Sequence, residues 1–426
     1  MSPTFSEKSI KQAYETAQEL YAQYDVDPDK AIQIIESTPI SLHCWQGDDV
    51  TGFEVDATGL GSDGIQTTGN YPGRARNGDE LRQDLEQAMS LIPGNQRVNL
   101  HALYAETGGK YVNRDELTAE HFADWIAWAK ARNLKLDFNG SFFSHPKVVD
   151  GLTLSSPEKT VRDFWIEHGK VSRKIGEAMG RELGSPCITN LWIPDGFKDM
   201  PADRWIYREH LKNSLDEIFE EKINKTFLKD SVESKLFGIG SESYVVGSHE
   251  FYLAYCIKNK LMLCLDAGHF HPTEKISDKI SAILSFSDEL LLHVTRGVRW
   301  DSDHVVIFDD ETKDIFHEIV RGNALGKVYI ALDFFDASIN RVAAWVIGTR
   351  AAQKALLFAL LEPTKLLKKF ELDRDFTSRL ALMEDLKTMP FGAVYDYFCL
   401  KSGTIPGNGW IYEVKQYEKD VLAGRS

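Results

Sequence analysis

The chain has 426 residues, 43% hydrophobic and 27% charged, so a sizeable core is available and no disordered composition stands out. A formal net charge of −15 disfavours binding to nucleic acid or to an anionic membrane, since both need a positive surface. No run of about 18 apolar residues and no signal-peptide core follow Met1, so neither a membrane span nor secretion is expected. Cys44, Cys187, Cys256, Cys264 and Cys399 show no CxxC spacing and read as reduced thiols of a cytoplasmic protein.

In chain order, residues 1–35 read as a helical lead-in, followed by a first apolar run at Ile40–Trp45. A long glycine-rich loop, Gly47–Arg76, suits a flexible cover over a site. A helix over Asp79–Leu91, with Asn77 or Asp79 as cap, leads to a second run at Arg97–Tyr104. Thr118–Arg132 places Phe122, Trp125, Ile126 and Ala129 on one helical face and precedes Leu134–Asn139. The pattern repeats as helix Pro157–Leu183, run Cys187–Ile193, helix Arg204–Ile223 and run Val232–Ile239. Runs at Leu261–Asp266, Leu290–Thr295 and Lys327–Phe334 alternate with helices over Ser277–Ser285, Asp310–Arg321 and Asn340–Leu361. Short apolar runs of this kind are strands covered on both faces, and strand–helix alternation implies parallel pairing. Eight such units predict an α/β chain with a closed (β/α)8 TIM barrel. Residues 1–361 would then be the barrel with its lead-in, and 362–426 a C-terminal helical extension, wrapping a neighbouring subunit or capping its own barrel.

Function in such a barrel collects at the carboxyl ends of the strands. The fifth run carries Glu233-Ser-Lys235. The sixth ends in Asp266-Ala-Gly-His269-Phe-His271, and the seventh in Leu292-His293, with Asp301-Ser-Asp303 soon after. The eighth ends in Asp333-Phe-Phe-Asp336. Glu233, Asp266, His293 and Asp333 lie in or directly after apolar runs, where a charge is costly unless paired or bound to a cation. If the barrel closes, the four converge and one cation neutralises them together. His269, Asp301 and Asp303 sit further along and would build a second, more open site. Taken singly, each has a plain reading: a strand-end Asp as a helix cap, Asp301-Ser-Asp303 as an acidic turn, one imidazole of His269 and His271 as a core histidine. Their joint occurrence at four consecutive strand ends is what points to metal. Carboxylates mixed with imidazoles suit Mn²⁺, Co²⁺, Mg²⁺ or Zn²⁺, with Mn²⁺ favoured where oxygens dominate.

Two motif matches carry no weight. Gly59-Leu-Gly61-Ser-Asp-Gly64 fits GxGxxG without a strand before it or a helix start after it. His249-Glu250 opens like a zincin motif but lacks the second histidine.

The blocks Ser41-Leu-His43-Cys-Trp45-Gln-Gly-Asp-Asp49, Ile65-Gln-Thr-Thr-Gly-Asn-Tyr-Pro-Gly73 and Trp192-Ile-Pro-Asp-Gly196 resemble the L-rhamnose isomerase family. So do Glu233-Ser-Lys-Leu-Phe-Gly-Ile-Gly240, Leu265-Asp-Ala-Gly-His-Phe-His-Pro-Thr-Glu274, Val298-Arg-Trp-Asp-Ser-Asp-His-Val305 and Leu332-Asp-Phe-Phe-Asp-Ala-Ser-Ile-Asn-Arg341. The resemblance implies a homotetramer with two divalent-metal sites per chain, converting L-rhamnose to L-rhamnulose by hydride shift or through an enediol. It implies that Glu233, Asp266, His293 and Asp333 hold a structural ion. His269, Asp301 and Asp303, with Asp266 as bridge, would hold the catalytic one. By similarity to xylose isomerases, Lys235 would hydrogen-bond the sugar carbonyl oxygen, a salt-bridged lysine being the plain alternative. His101 would assist ring opening or bind the ring oxygen, unless it is a core histidine. Trp45, Trp192 and Phe138 offer apolar faces for a deoxy-sugar. Gly140 stands where the family pattern leads us to expect proline. A metal-dependent hydrolase on the same barrel would carry its His-x-His pair at the first strand rather than the sixth. A non-catalytic sugar-binding barrel would not need seven ligand-type residues.

Overall fold

The computed structural model describes residues 6–54, 67–236, 243–299 and 303–425. The chain opens on α1 (Glu7–Ala22) and α2 (Pro28–Ser37). Ser6 caps the first by accepting from Ser9 N, and Asp27 caps the second by accepting from Asp29 N and Lys30 N. Ile10, Tyr14, Ala17 and Tyr21 fall on one face of α1 at helical spacing and are buried.

The strands are β1 (Ile40–His43), β2 (Gln96–His101), β3 (Leu136–Asn139), β4 (Cys187–Leu191), β5 (Gly196–Phe197), β6 (Leu228–Glu233), β7 (Tyr244–Val245), β8 (Met262–Asp266), β9 (Leu290–Val294) and β10 (Val328–Leu332). The short β5 and β7 form a separate antiparallel pair. The other eight close into a barrel in the order β1-β10-β9-β8-β6-β4-β3-β2, every pair parallel. The expected (β/α)8 architecture is therefore present. Around it run α3 (Gly78–Ser90), α4 (Ala123–Ala131), α5 (Lys159–Leu183), α6 (Arg204–Ile218), α7 (His249–Asn259), α8 (Ile276–Leu284), α9 (Asp310–Arg321) and α10 (Arg341–Leu360).

Alternation within β8 shows how the strands divide their side chains. Leu263 and Leu265 join the core between barrel and helices, each contributing about 1.5–3 kcal/mol by burial. Met262 and Cys264 point the other way, into an interior cluster with Ile188, Leu291 and Ala331. Asp266 continues that inward row at the carboxyl end. On the outer layer, α5 lies so close to the chain entering β6 that a Cβ at Gly180 would meet Phe227 O at 1.9 Å. Gly140 is similarly confined, since a Cβ there would meet the Phe142 ring at 2.6 Å.

Several boundaries differ from the sequence reading. Strands expected to reach Trp45 and Tyr104 stop at His43 and His101, where the backbone tightens into short 3₁₀ turns. The strand expected over Val232–Ile239 is Leu228–Glu233, four residues earlier at its start. Its charged Lys229 and Asp230 are carried by Glu289 and Arg173, partners remote in sequence. Helix α7 was not expected at all.

Four further helices, α11 (Thr364–Leu372), α12 (Phe376–Leu386), α13 (Phe391–Lys401) and α14 (Trp410–Asp420), follow the barrel. They fold back on it: the Tyr397 ring stacks on Tyr14 at 3.9 Å, and Arg350 donates to Ile405 O at 2.9 Å. Arg425 pairs with buried Asp84 at 2.6 Å. Among the described residues, no single helix is long and apolar enough to cross a membrane.

Candidate metal centre

The carboxyl-terminal mouth is built by strand endings. Glu233 is the last residue of β6 and Asp266 the last of β8. His293 stands one before the end of β9, and Asp333 directly follows β10. The register pairs Glu233 with Cys264 and Asp266 with His293. Inward alternation then brings the four side chains together. Their ligand atoms lie within 4.8 Å of one another. His293 Nδ1 is 2.9 Å from Asp333 Oδ2, 3.4 Å from Glu233 Oε2 and 3.5 Å from Asp266 Oδ2. A second set, Asp266, His269 and Asp303, meets the same criterion and shares Asp266 with the first. His269 Nε2 lies 3.8 Å from Asp303 Oδ2. Asp301, expected in this set, lies outside the described residues, as do Gly59–Gly64.

The electrostatics of the cluster are those of buried anions short of partners. Burial opposes ionisation of Glu233, but the charge of His293, the His269 contact and the Asn190 amide hold it down at about 2. Burial lifts Asp333 to about 6 against the pull of His293, and pushes Asp266 well above the carboxylate range. Burial also opposes charge on His293, yet Cys264, Glu233 and Asp333 together raise its pKa. Two polar atoms here are buried without a hydrogen-bond partner among the described residues, Asp266 Oδ2 and His293 Nε2, while Glu233 Oε1 lies 2.9 Å from His269 Nδ1. Unsatisfied buried groups each cost about 1–3 kcal/mol, more if charged. Hard oxygens and imidazoles converging in this way form a set able to hold a divalent metal ion.

Neighbours fix the orientation of the ligands. His269 Nδ1 donates to Ser234 O at 3.0 Å, which leaves Nε2 as the lone-pair nitrogen facing Asp303. Asn190, from β4, donates its amide to Glu233 Oε2 and accepts from Ser231 Oγ at 3.0 Å, so its own orientation is determined. Gly268 N donates to Asp266 Oδ1 at 2.6 Å, and Thr295 Oγ1 to Asp303 Oδ1 at 3.3 Å. Asn190, Thr295 and Cys264 escaped the sequence reading. The available signal was parity: Cys264 precedes Asp266 by two, so it shares the inward face.

The remaining candidates line up unevenly. Lys235, buried just beyond β6, places Nζ 4.8 Å over the Trp192 ring. Trp192 follows β4, half-buried, with its indole Nε1 buried and without a partner among the described residues. His101 ends β2 beside Trp45, ring centroids 4.6 Å apart, and its Nδ1 meets Ser141 Oγ at 3.2 Å. Burial, reinforced by Arg114, lowers His101 to about 3, so its ring is neutral. Phe138 is not brought to the mouth. On β3 its neighbours Asp137 and Asn139 line the barrel interior, so Phe138 points outward and packs edge-on against Phe122 at 5.0 Å. His271 does not converge with His269 either; it is exposed and bonded to Thr273. Asp336 caps the turn at Ser338.

The family model for L-rhamnose isomerase (RhaA) matches residues 8–425. The chain belongs to the L-rhamnose isomerase family. Proteins named L-rhamnose isomerase from Rhodopirellula baltica and Mannheimia succiniciproducens are 58% and 57% identical to it. Each alignment covers 98% of this chain, with 97% and 99% of those relatives. One from Listeria innocua is 56% identical over 98% of this chain and 99% of its own length. Family membership and the paired carboxylate–imidazole sets at one barrel mouth make this an aldose–ketose isomerase scaffold.

Proposed function

We propose that the protein interconverts L-rhamnose and L-rhamnulose at this mouth, using two divalent ions per chain, with Mn²⁺ the preferred metal. The observation that carries this reading is the pair of ligand sets joined through Asp266. Glu233, Asp266, His293 and Asp333 hold the deeper ion, while His269, Asp303 and the shared Asp266, joined by Asp301, hold the outer one. Held by these residues, a divalent ion would supply Lewis-acid polarisation of the open-chain sugar oxygens, worth several kcal/mol of transition-state stabilisation. Lys235 Nζ donates to the carbonyl oxygen as negative charge develops there. Neutral His101 assists ring opening by taking the anomeric O1–H proton while solvent protonates the ring oxygen, or binds the ring oxygen through a hydrogen bond. Trp45 and Trp192 cover the methyl and C–H faces and exclude water. Hydrogen then moves between C1 and C2 by hydride shift. Isomerisation in deuterated water tests that step: retention of the C–H hydrogen supports it, and rapid incorporation of solvent deuterium moves the mechanism to an enediol.

We also propose a cytoplasmic homotetramer in which residues 1–361 act as the catalytic barrel and 362–426 as a helical extension. Five buried, unpaired cysteines suit a reducing compartment. Leu372, Phe376 and Leu380 on α11 and α12 are exposed apolar side chains, Leu372 at 84%, of the kind a subunit contact covers. Light scattering gives the test: a fourfold mass supports the assembly, and a monomer overturns it.

A further inference from the structure

Cys264 extends the metal centre in a direction its hard ligands do not explain. It lies on β8 two residues before Asp266, faces the barrel interior and is fully buried. The parallel register sets it opposite Glu233. Its sulfur, a Glu233 carboxylate oxygen and a His293 ring nitrogen lie within 4.8 Å of one another, the same proximity that defines the two oxygen-rich sets. A cysteine alone would carry nothing. The second observation is His293, whose Nδ1 is engaged by Asp333 while its Nε2 is buried without a hydrogen-bond partner among the described residues. Sulfur, imidazole and carboxylate form a donor set suited to zinc-like ions, and soft thiolate selects thiophilic ions over Mn²⁺ or Mg²⁺.

We infer that Glu233, Cys264 and His293 form a thiophilic-metal site beneath the hard-metal centre, which captures dications of the zinc–cadmium class in competition with Mn²⁺. This rests on the metal-site reading above. The two sets share Glu233 and His293, so an ion drawn down to sulfur withdraws two ligands from Asp266 and Asp333. On binding, the Cys264 S–H bond breaks, its proton passes to solvent, and the sulfur donates its electron pair to the ion; no oxidant or reductant is involved. The consequence is misloading: thiophilic ions occupy the centre with a geometry that the oxygen-rich set does not produce.

The test uses the full-length protein freed of metal with a chelator. Co²⁺ is added while the near-ultraviolet spectrum is followed, and Cd²⁺ and Mn²⁺ affinities are measured by competition with a chelating dye. The expected result is a thiolate-to-cobalt charge-transfer band in the unaltered protein, bleached by excess Mn²⁺ and absent from both Cys264→Ser and Cys264→Ala. Cd²⁺ affinity should fall by at least roughly 10–100-fold in those variants, the loss that even an outer partner's removal causes, while Mn²⁺ affinity stays within about twofold. Bound Co²⁺ without the band in the unaltered protein overturns the inference and leaves the hard-metal reading standing, whether or not the variants fold. Failure to bind any divalent ion instead overturns the metal-site reading, and this inference with it.

Discussion

Towards the amino-terminal ends of the strands, each buried or half-buried acid faces a cation supplied by the chain. Asp137 meets Arg97 at 2.7 Å, Asp230 meets Arg173 at 2.9 Å, and Glu289 meets Lys229. Asp137 accepts in addition from Ser41 Oγ and Ile188 N, so both its oxygens are satisfied. At the carboxyl-terminal ends the acids are as deeply buried, but the ion pairs of Glu233, Asp266 and Asp333 among the described residues are all with imidazoles. Acids at both ends are withdrawn from solvent; the source of the compensating charge differs. The floor is finished within the sequence, whereas the mouth is completed by something from outside it. A buried charge left uncompensated costs several kcal/mol, which gives the mouth a standing affinity for a cation.

The contrast is breakable at either end. The largest effect is expected at the outer metal set: His269→Ala removes a ligand and should lower turnover by roughly 10³-fold or more, the equivalent of several kcal/mol of lost polarisation. Circular dichroism should show the fold intact, and near-normal turnover would remove His269 from the catalytic set. At the floor, Asp137→Asn leaves the Arg97 guanidinium buried without its counter-charge, and denaturant titration should show a loss of about 3–5 kcal/mol. Mn²⁺ affinity should hardly change in the same variant. A stable Asp137→Asn protein that loses metal would erase the distinction between the two ends. Asn190→Leu should weaken Mn²⁺ binding by about 10–100-fold without the stability loss of the floor variant, because Asn190 orients Glu233 rather than carrying charge itself. Chelator competition reads this directly.

The smallest and most diagnostic effect is pH dependence. Asp333 is raised to about 6 by burial, so the metal-free fold holds its proton more tightly than the unfolded chain does. Metal-free stability should therefore fall as pH rises between about 4 and 6, through this residue. Glu233, held near 2, acts oppositely in a lower window: its contribution is present above about 4.5 and is lost as pH falls towards 2. Metal must displace the Asp333 proton together with those held on Asp266 and His293, so apparent Mn²⁺ affinity should drop by at least about tenfold per pH unit below 6. A flat affinity between pH 4 and 7 would remove Asp333 from the inner set.

Much of the mouth was legible because its ligands interrupt apolar runs: Leu-Asp266 and Leu-Asp333 each break a strand with a charge that a barrel end has to explain. What remained hidden depended on register and distant partners. Phe138 sits in a strand whose parity is set by pairing, and one step of alternation decides between site and helix layer. The start of β6 was masked by Lys229 and Asp230, which look like loop residues until Glu289 and Arg173 are placed beside them. Asn190 has no local signature as a partner of Glu233, which lies 43 positions away. Helix α7 buries Tyr252, Tyr255 and Cys256 but carries little amphipathic contrast, so periodicity does not mark it.

The metal-site reading makes the carboxyl-terminal mouth incomplete without a divalent cation. The direct measurement is L-rhamnulose formation by chelator-stripped protein, followed together with bound Mn²⁺ as the ion is restored. Turnover that is absent at first and returns in step with filling of two sites per chain is the predicted result. Full turnover in the stripped protein, or a folded protein that takes up no ion at any Mn²⁺ concentration, would contradict it.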